Sequence, residues 1–296
     1  MQNAETILNI IRDRGKRGLP LQRVYPLLYN PQLYLRAYAR LYSNKGAMTP
    51  GTTPEPIDGK SRAKIDALID DLRQERCRWT PVRRVQIPKK NGKLRILGLP
   101  GWTDKLRQEV LRSIVEAYLE PQCSDHSQGF RPGRGCHTAL STIANGWIGT
   151  KWFIEGDIKG AYDNVDHEVL LQMLAEKIHD NRLLALIRRL LQAGYMEQWR
   201  YGTSFSGVPQ GAVLSPLWFN LYLDKLDRFV EQELLPAYNR GERRHSHQQY
   251  AGIMLRAQRL KKRGRMKEAR RLYAAGRKLP SQDPNDPDYR RLHYVR

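Results

Sequence analysis

Cysteines and long apolar runs are scarce in this sequence. The three cysteines, Cys77, Cys123 and Cys136, lie far apart and form no C-x-x-C pair. This spacing excludes a disulfide framework and a cysteine-based zinc site, and it indicates reduced thiols. No apolar stretch approaches the roughly 18 residues that span a bilayer, and the first residues lack the basic-then-apolar pattern of a signal peptide. We therefore expect a protein of a reducing compartment with no membrane partner: a bacterial cytoplasm, or an organelle if the source is eukaryotic.

Acidic residues are too few to balance the basic ones. Lysine and arginine number 51 against 30 aspartates and glutamates, so the net charge is +21. A solvated surface does not need this excess, whereas neutralising the phosphates of a nucleic acid releases condensed counterions and favours binding. Charge alone thus favours a nucleic acid, with an acidic membrane surface or an acidic protein as alternatives. The 296 residues, 40% of them hydrophobic, suffice for a sizeable core.

Apolar periodicity predicts helices around one β-hairpin. Alternating residues from Val82 to Leu99 flank Asn91-Gly92, a dipeptide typical of two-residue hairpin turns. Thr103 is expected to cap the helix that follows. Trp152–Ile154 reads as a buried strand, Pro236 as a break, and residues 292–296 as a final strand. Further helices are expected within residues 1–45 and at 61–76, 103–119, 138–145, 168–178, 183–192, 216–233 and 248–277, with a Pro- and Gly-rich loop at 44–56.

An aspartate and a tyrosine follow the predicted strand at Trp152–Ile154. The segment delivers Asp157 just after the strand and Tyr162 five residues later, before a helix begins. Mg²⁺ prefers one or two carboxylates plus substrate phosphates, and nucleotidyl transfer uses two such ions about 4 Å apart. Asp157 is therefore a suitable metal ligand, and a helix cap or a surface aspartate is the alternative.

Four further segments carry recognisable patterns. Gly207–Pro216 contains Pro-Gln-Gly, Gln128–Gly135 reads Gln-Gly-Phe-Arg-Pro-Gly-Arg-Gly, and Asn44–Gly51 is a loop. Residues 240–296 hold 17 lysines and arginines against 5 acidic residues. Taken together with the hairpin and the Asp157 segment, these patterns resemble the reverse transcriptase domain of group II intron-encoded proteins, over roughly residues 30–296.

The resemblance implies an α/β fold of the α+β type. We expect right-hand polymerase fingers and a partial palm, with a β-hairpin and a small antiparallel palm sheet packed by helices. Residues 1–60 would form an N-terminal extension and template-side loop, and residues 61–150 the fingers. Residues 151–239 would form the partial palm, and residues 240–296 a basic helical insertion leading toward the catalytic hairpin.

The resemblance also assigns the reacting side of the site. Asp157 is the catalytic carboxylate and, with the Ile158 carbonyl, a metal ligand. Tyr162, where the family more often has phenylalanine, lies under the sugar of the incoming nucleotide. Gln210 and Gly211 line the nucleotide and template side of the pocket.

The remaining predicted contacts are made by lysines and arginines. For each of them, the alternative is that the side chain is only a solvated charge on the surface. Arg83 and Lys89 are predicted to contact the triphosphate. For Arg131 and Arg134 a structural turn is equally consistent with the sequence. The predicted nucleic-acid contacts are Lys93, Arg95, Arg131, Arg134, Lys261, Lys262, Arg263 and Arg265.

The implied function is that of an RNA-directed DNA polymerase with two Mg²⁺ ions, which extends a primer with deoxynucleoside triphosphates. Its expected partners are the intron RNA, an RNA template and a DNA primer or target, with a maturase role in the intact protein. The family's next motif, Tyr-Ala-Asp-Asp, does not occur, and Asp70-Asp71 lies in an expected exposed helix. We therefore expect this polypeptide alone to be inactive. It would be an RNA-binding remnant, or a split enzyme that needs a homodimer or a complementing C-terminal chain. A reverse transcriptase of phage defence or diversity generation fits the basic insertion less well.

Overall fold

The computed structural model describes residues 3–44, 49–55, 62–89 and 92–296. The chain divides into two compact units. The first comprises residues 1–135 and 155–225, and the second comprises residues 136–154 and 226–296. Both are rich in helix, and the strands form small sheets. This mixture confirms the predicted α+β class.

The first unit is built around one buried helix. That helix, Trp102–Leu119, packs against the first two helices of the chain, and its Leu106, Val110 and Ile114 side chains are fully buried. Apolar residues recur every three to four positions in the neighbouring helices, so each buries one face. The helices of this unit are α1 (Ala4–Lys16), α2 (Pro31–Tyr42), α3 (Arg62–Arg73), α4 (Trp102–Leu119), α6 (His167–Ala175), α7 (Asn181–Leu191) and most of α8 (Ser215–Phe229), with 3₁₀ turns at Tyr25–Tyr29 and Glu120–Gln122.

Two small sheets lie in the same unit. One pairs β1 (Leu21–Gln22) with β4 (Ile178–His179) in parallel. The other has the strand order β3-β2-β5-β6. The predicted hairpin is confirmed, and Gly92 in its turn has a φ of +77°; Asn91 lies outside the described residues. The strands of the larger sheet are β2 (Val82–Pro88), β3 (Leu94–Leu99), β5 (Tyr195–Glu197) and β6 (Arg200–Gly202).

The basic segment of the second unit forms two helices, so the prediction of one helix over residues 248–277 is wrong. Gly264, with a φ of +76°, separates them. A residue in this left-handed conformation ends an α-helix, and glycine adopts it without steric cost. Ala257 and Ala269 are buried between the two, where small side chains permit close packing. The helices of this unit are α5 (Cys136–Gly146), α9 (Leu235–Tyr238), α10 (Gln248–Lys262) and α11 (Met266–Gly276).

The prediction of a buried strand at Trp152–Ile154 is also wrong. These residues have no regular structure, and Trp152 and Ile154 are 86% and 98% exposed. A strand needs a neighbour to satisfy its backbone hydrogen bonds, and no strand among the described residues pairs with this segment. The apolar composition of residues 152–154 favours burial, but the sequence pattern does not identify the residues that would cover them.

Three boundary predictions need correction. Gly101, not Thr103, precedes α4 as its cap, and Thr103 instead donates from its backbone and hydroxyl to the Glu55 carboxylate. Pro236 does not break the helical path, since a π-helical turn at Val230–Leu234 leads into α9, and the proline lies in the first turn of that helix. Residues 292–296 form no strand.

The loop predicted at residues 44–56 lies partly outside the described residues, at 45–48 and 56; its described parts are irregular. Among the helices of the described ranges, none has the length and hydropathy needed to span a bilayer.

Candidate nucleotide and nucleic-acid site

The Pro-Gln-Gly loop, residues 207–211, is fixed on one side to the segment that carries Tyr162. The backbone N–H of Gly207 donates to the Val165 carbonyl at 2.7 Å, and that of Val208 donates to the Tyr162 carbonyl at 2.8 Å. Two motifs separated by more than forty residues in sequence are thereby held in one rigid arrangement.

Gly207 and His167 complete this junction. Gly207 has a φ of +83°, and a Cβ atom there would lie 2.8 Å from the Asp163 carbonyl oxygen. The His167 Nε2 atom lies 2.7 Å from the Gly207 carbonyl oxygen, and His167 is only 5% exposed. Because a carbonyl oxygen only accepts, this nitrogen carries the hydrogen. The sequence analysis gave His167 no role, and nothing in its local pattern signals a contact with a residue forty positions away.

On its other side the loop docks against the β2–β3 hairpin. The Gly98 N–H donates to the Gln210 carbonyl at 2.7 Å. A Cβ at Gly98 would lie 2.6 Å from the Pro209 Cβ, and one at Gly211, whose φ is +100°, would lie 3.4 Å from the Gly98 oxygen. Glycines on both partners therefore allow the β2–β3 hairpin and the Pro-Gln-Gly loop to approach this closely.

Tyr162 is held by an aromatic partner. Its ring stacks on that of Phe219 in α8, with centroids 4.8 Å apart and planes 25° from parallel. Burial raises the pKa of the Tyr162 phenol, so the ring stays neutral at physiological pH. The structure therefore presents a flat, fixed surface at this position, and Phe219 is a supporting residue that the sequence analysis missed.

Asp157 and Ile158 are both exposed in an irregular segment. In the part of the chain that the structure describes, no hydrogen bond or ion pair engages the Asp157 carboxylate. An unpaired carboxylate beside a free-standing backbone carbonyl suits a hard divalent cation that takes its other ligands from substrate and water. The one cluster of described side chains with metal-binding spacing is elsewhere, at His245, Asp286 and Asp288.

The cations of the β2–β3 hairpin share a face. The register pairs Arg83 with Leu99 and Ile87 with Arg95, so alternation places Arg83 and Arg95 on the same side of the sheet. The Arg83 guanidinium donates to the Pro50 carbonyl at 2.9 and 3.1 Å. Beyond the strands, exposed Lys89 and Lys93 are joined by a 2.7 Å bond from the Lys89 N–H to the Lys93 oxygen.

Arg131 and Arg134 are occupied within the chain. Arg131 is 8% exposed and donates to the Glu120 carboxylate at 2.9 Å and to the Ser124 carbonyl at 2.5 Å. Arg134 donates to the Asp125 carboxylate at 2.5 Å. These bonds hold the connecting loop together, and they support the structural alternative for Arg131.

The four predicted cations of the second unit surround the turn between α10 and α11. Lys261, Lys262, Arg263 and Arg265 are all exposed. Arg265 forms an ion pair with Glu268 at 2.6 Å. This cluster is separate in sequence and in compact unit from the residues around Tyr162.

A cavity of about 380 Å³ in the first unit is lined in part by the Pro-Gln-Gly loop. Arg84, Tyr195 and Gln210 line it, whereas Asp157 and Tyr162 do not. The cavity therefore does not join Asp157 to Gln210 in one pocket.

A family model described as Reverse transcriptase (RNA-dependent DNA polymerase) matches residues 87–254, which is more than half of the chain. The chain belongs to the reverse transcriptase family. Members of this family act on nucleic acids and use a divalent metal. The matched range includes the β3 strand, the Asp157 segment, the Pro-Gln-Gly loop and the start of the basic segment.

Individual relatives place the chain among group II intron-encoded proteins. It is 49% identical over 211 residues to the group II intron-encoded protein LtrA of Lactococcus lactis, covering 71% of this chain and 35% of LtrA. It is 42% identical over 235 residues to an uncharacterized 91 kDa protein in the cob intron of Schizosaccharomyces pombe, covering 77% and 29%. It is 33% identical over 272 residues to a putative COX1/OXI3 intron 1 protein of Saccharomyces cerevisiae, covering 91% and 32%.

These matches confirm the resemblance predicted from the motifs. The chain spans about a third of the length of each of these three relatives.

Proposed function

We propose that this chain supplies the fingers and part of the palm of an RNA-directed DNA polymerase encoded by a group II intron. In the reaction, the 3′-hydroxyl of a primer attacks a deoxynucleoside triphosphate and releases pyrophosphate while RNA is copied. The observation that carries the proposal is the double docking of the Pro-Gln-Gly loop, to Tyr162 on one side and to Gly98 of the fingers hairpin on the other. This arrangement supports a pocket whose walls come from three separate motifs.

Each site residue has a part in this proposal. The Asp157 carboxylate and the Ile158 carbonyl would hold Mg²⁺, which supplies activation of the primer hydroxyl and neutralisation of phosphate charge. The Tyr162 ring, fixed on Phe219, would lie under the nucleotide sugar and exclude a 2′-hydroxyl. Gln210 and Gly211 would line the base-pair side.

The arginines and lysines of the hairpin complete the substrate contacts. Arg83 and Lys89 would bind the triphosphate, while Lys93 and Arg95 would follow the template backbone. Because Arg83 and Arg95 lie on the same face of the sheet, these two arginines would contribute to one basic surface. Such a surface stabilises the negative charge that develops on the departing pyrophosphate.

The intact protein would also bind its intron RNA and act as a maturase, in a bacterial cytoplasm or an organelle. We retain residues 1–60, 61–150, 151–239 and 240–296 as the functional division into extension, fingers, partial palm and basic insertion. In the insertion, the exposed cluster at the α10–α11 turn, residues 261–265, would contact RNA phosphates.

A second reading is an RNA-binding remnant, or one half of a split reverse transcriptase. The exposed cluster at residues 261–265 favours RNA binding without requiring the metal site. A homodimer or a complementing chain would then be needed for synthesis. Primer extension on an RNA template separates this reading from the first, because both predict RNA binding and only one predicts DNA synthesis.

The salt dependence of RNA binding tests the feature common to both readings. Replacing Lys261, Lys262 and Arg263 together by glutamine should weaken binding of a structured RNA. It should lower the slope of log Kd against log salt by about 2 to 3, because each lost phosphate contact removes about 0.7 to 0.9. Fluorescence anisotropy between 50 and 400 mM salt, about the range in which such contacts are resolved, gives both values.

A matched variant controls for charge alone. Arg62, Arg73 and Arg76 of the first unit are each within ion-pair distance of an aspartate, so replacing all three by glutamine removes the same charge from already neutralised positions. This variant should retain the parent slope. An equal fall in both variants would show that net charge, not a contact at residues 261–263, sets the affinity.

A further inference from the structure

The hairpin formed by β5 and β6 has an unfavourable residue at its tip. The register pairs Glu197 with Arg200, which leaves Gln198 and Trp199 as a two-residue turn. Their φ angles are +49° and +64°. Turns of this kind favour Asn-Gly, and a bulky aromatic residue at positive φ is strained. The conformation of the backbone therefore does not account for a tryptophan here.

Burial does not account for it either. The Trp199 side chain is 90% exposed, so its ring contributes almost nothing to the core. A large aromatic surface held out in water, on a backbone that disfavours it, is typical of a residue retained for contact with a ligand.

The tip is held in a defined position. The Arg84 guanidinium lies 3.2 Å above the Tyr195 ring and 3.6 Å from the Glu197 carboxylate. A Cβ atom at Gly202 would lie 2.4 Å from the Tyr195 ring, so the two strands cross closely. This packing anchors the base of the hairpin to β2, and the tip extends from it with Trp199 exposed.

The surrounding charge selects an anionic ligand. The four strands of this sheet carry four arginines and one glutamate, and that glutamate is the partner of Arg84. Arg200 is exposed directly beside Trp199. A flat apolar ring next to an available guanidinium matches a base and its adjoining phosphate.

We propose that the hairpin tip binds single-stranded nucleic acid, with Trp199 stacked on an unpaired base and Arg200 against the neighbouring phosphate. This site rests on the proposed function, in that it requires a nucleic-acid partner. Stacking on an aromatic ring is tolerant of sequence because every base has a π face. The tip therefore serves as a general contact for an unpaired strand and reads no particular sequence.

The test uses a variant in which stability and binding should change in opposite directions. Trp199→Gly places glycine where the turn favours it, so its melting temperature should equal or exceed that of the parent. Its affinity for a labelled, unstructured 12-nucleotide RNA should nevertheless fall about 5- to 100-fold, the loss expected when base stacking is removed. Trp199→Phe should keep most of the affinity, because it keeps an aromatic ring.

The control is Phe229→Ala, which removes another aromatic ring that is 50% exposed and lies in α8, outside the turn and the Pro-Gln-Gly loop; its affinity should match that of the parent. Parallel titrations with DNA of the same sequence and with a duplex identify the strand. A loss confined to single-stranded RNA, single-stranded DNA or both supports the site, and an equal loss on duplex overturns it.

Three further results would also overturn the proposal. Parent-like binding by Trp199→Gly, with reduced binding by the variant lacking the charges at 261–263, would exclude the hairpin and leave the proposed function standing. Unchanged RNA binding accompanied by altered sedimentation would show that the tip is a protein contact. If the parent chain itself bound no RNA, both this site and the proposed function would fail.

Discussion

The junction at Gly207 can be tested by adding a single methyl group. Two features make this position sensitive: its φ of +83°, and the 2.8 Å that would separate an added Cβ atom from the Asp163 carbonyl oxygen. The left-handed backbone alone costs about 1–2 kcal/mol for an L-residue. Forcing a methyl group into a packed contact adds about 1–3 kcal/mol. Gly207→Ala should therefore lower the free energy of unfolding by about 2–5 kcal/mol.

Gly18→Ala separates these two effects. Gly18 has a φ of +63°, and a Cβ atom there would meet nothing within 4 Å. This variant carries the backbone cost without the steric one, so it should lose only about 1–2 kcal/mol. The difference between the two variants measures how tightly the Pro-Gln-Gly loop is held against the Tyr162 segment.

Urea unfolding followed by far-UV circular dichroism gives both values by linear extrapolation. Both variants should keep the slope of the parent, because neither changes how much surface unfolding exposes. If Gly207→Ala were no less stable than Gly18→Ala, within about 0.5 kcal/mol, the close contact at Asp163 would be refuted. The contact of Gly207 with Asp163 would then no longer support the docking of the Pro-Gln-Gly loop against the Tyr162 segment.

Two other predictions follow from contacts within the separate units. His167→Leu should leave the Gly207 carbonyl unsatisfied and cost about 1–3 kcal/mol of unfolding free energy, whereas His167→Gln, which keeps an N–H donor, should recover part of that loss in the same urea assay; equal losses would contradict a role for the hydrogen bond. The Asp286 carboxylate raises the pKa of His245 above its usual 6.5, and bonding from the His245 backbone and ring lowers the pKa of Asp286 below 3.8. Because the histidine pKa is raised in the folded state, its contribution to stability is present at low pH and is lost as the pH rises through the pKa of the folded state. Because the aspartate pKa is lowered, its contribution is present at higher pH and is lost as the pH falls through the pKa of the folded state. The contact should thus be strongest between about pH 4 and 6.5, and NMR titration of His245 should show its pKa return toward 6.5 in Asp286→Asn; an unchanged titration would contradict the pairing.

Much of the fold could be predicted from local pattern. Period-two alternation around an Asn-Gly turn predicted the β2–β3 hairpin, and period-3.6 apolar spacing predicted α3, α4 and α6 to α8. These elements depend on neighbours in sequence, so the sequence specifies them directly. Gly264 also carried a local signal for the end of α10, which the predicted long helix overlooked.

Contacts between distant residues could not be predicted in this way. The apolar run Trp152–Ile154 has the composition of a strand, but strand formation depends on a partner that the pattern does not identify. The His167 contact joins residues forty positions apart. The Arg131 guanidinium donates hydrogen bonds to Glu120 and to nearby carbonyls and is not exposed to solvent. An arginine reads alike in sequence whether it faces water or a buried carboxylate.

For the candidate site, the resemblance of the motifs assigned Asp157, Tyr162 and Gln210 to one reaction, and this assignment stays a prediction. The structure adds the supports: Phe219 under the Tyr162 ring, and the glycines that let the hairpin and loop approach. The metal role of Asp157 and the substrate contacts of the cations remain proposals of function.

RNA-templated extension of an annealed DNA primer, with Mg²⁺ and the polypeptide as its gene encodes it, tests the central claim most directly. Extension is expected from the protein as its gene encodes it, whereas residues 1–296 on their own are expected to be inactive, because they contain no Tyr-Ala-Asp-Asp motif. Asp157→Asn is expected to abolish extension and leave RNA affinity unchanged, because the carboxylate serves the metal and not the template. No extension by the protein as its gene encodes it would select the RNA-binding remnant or the split enzyme. Extension that survives Asp157→Asn would contradict the site described around Asp157, Tyr162 and Gln210.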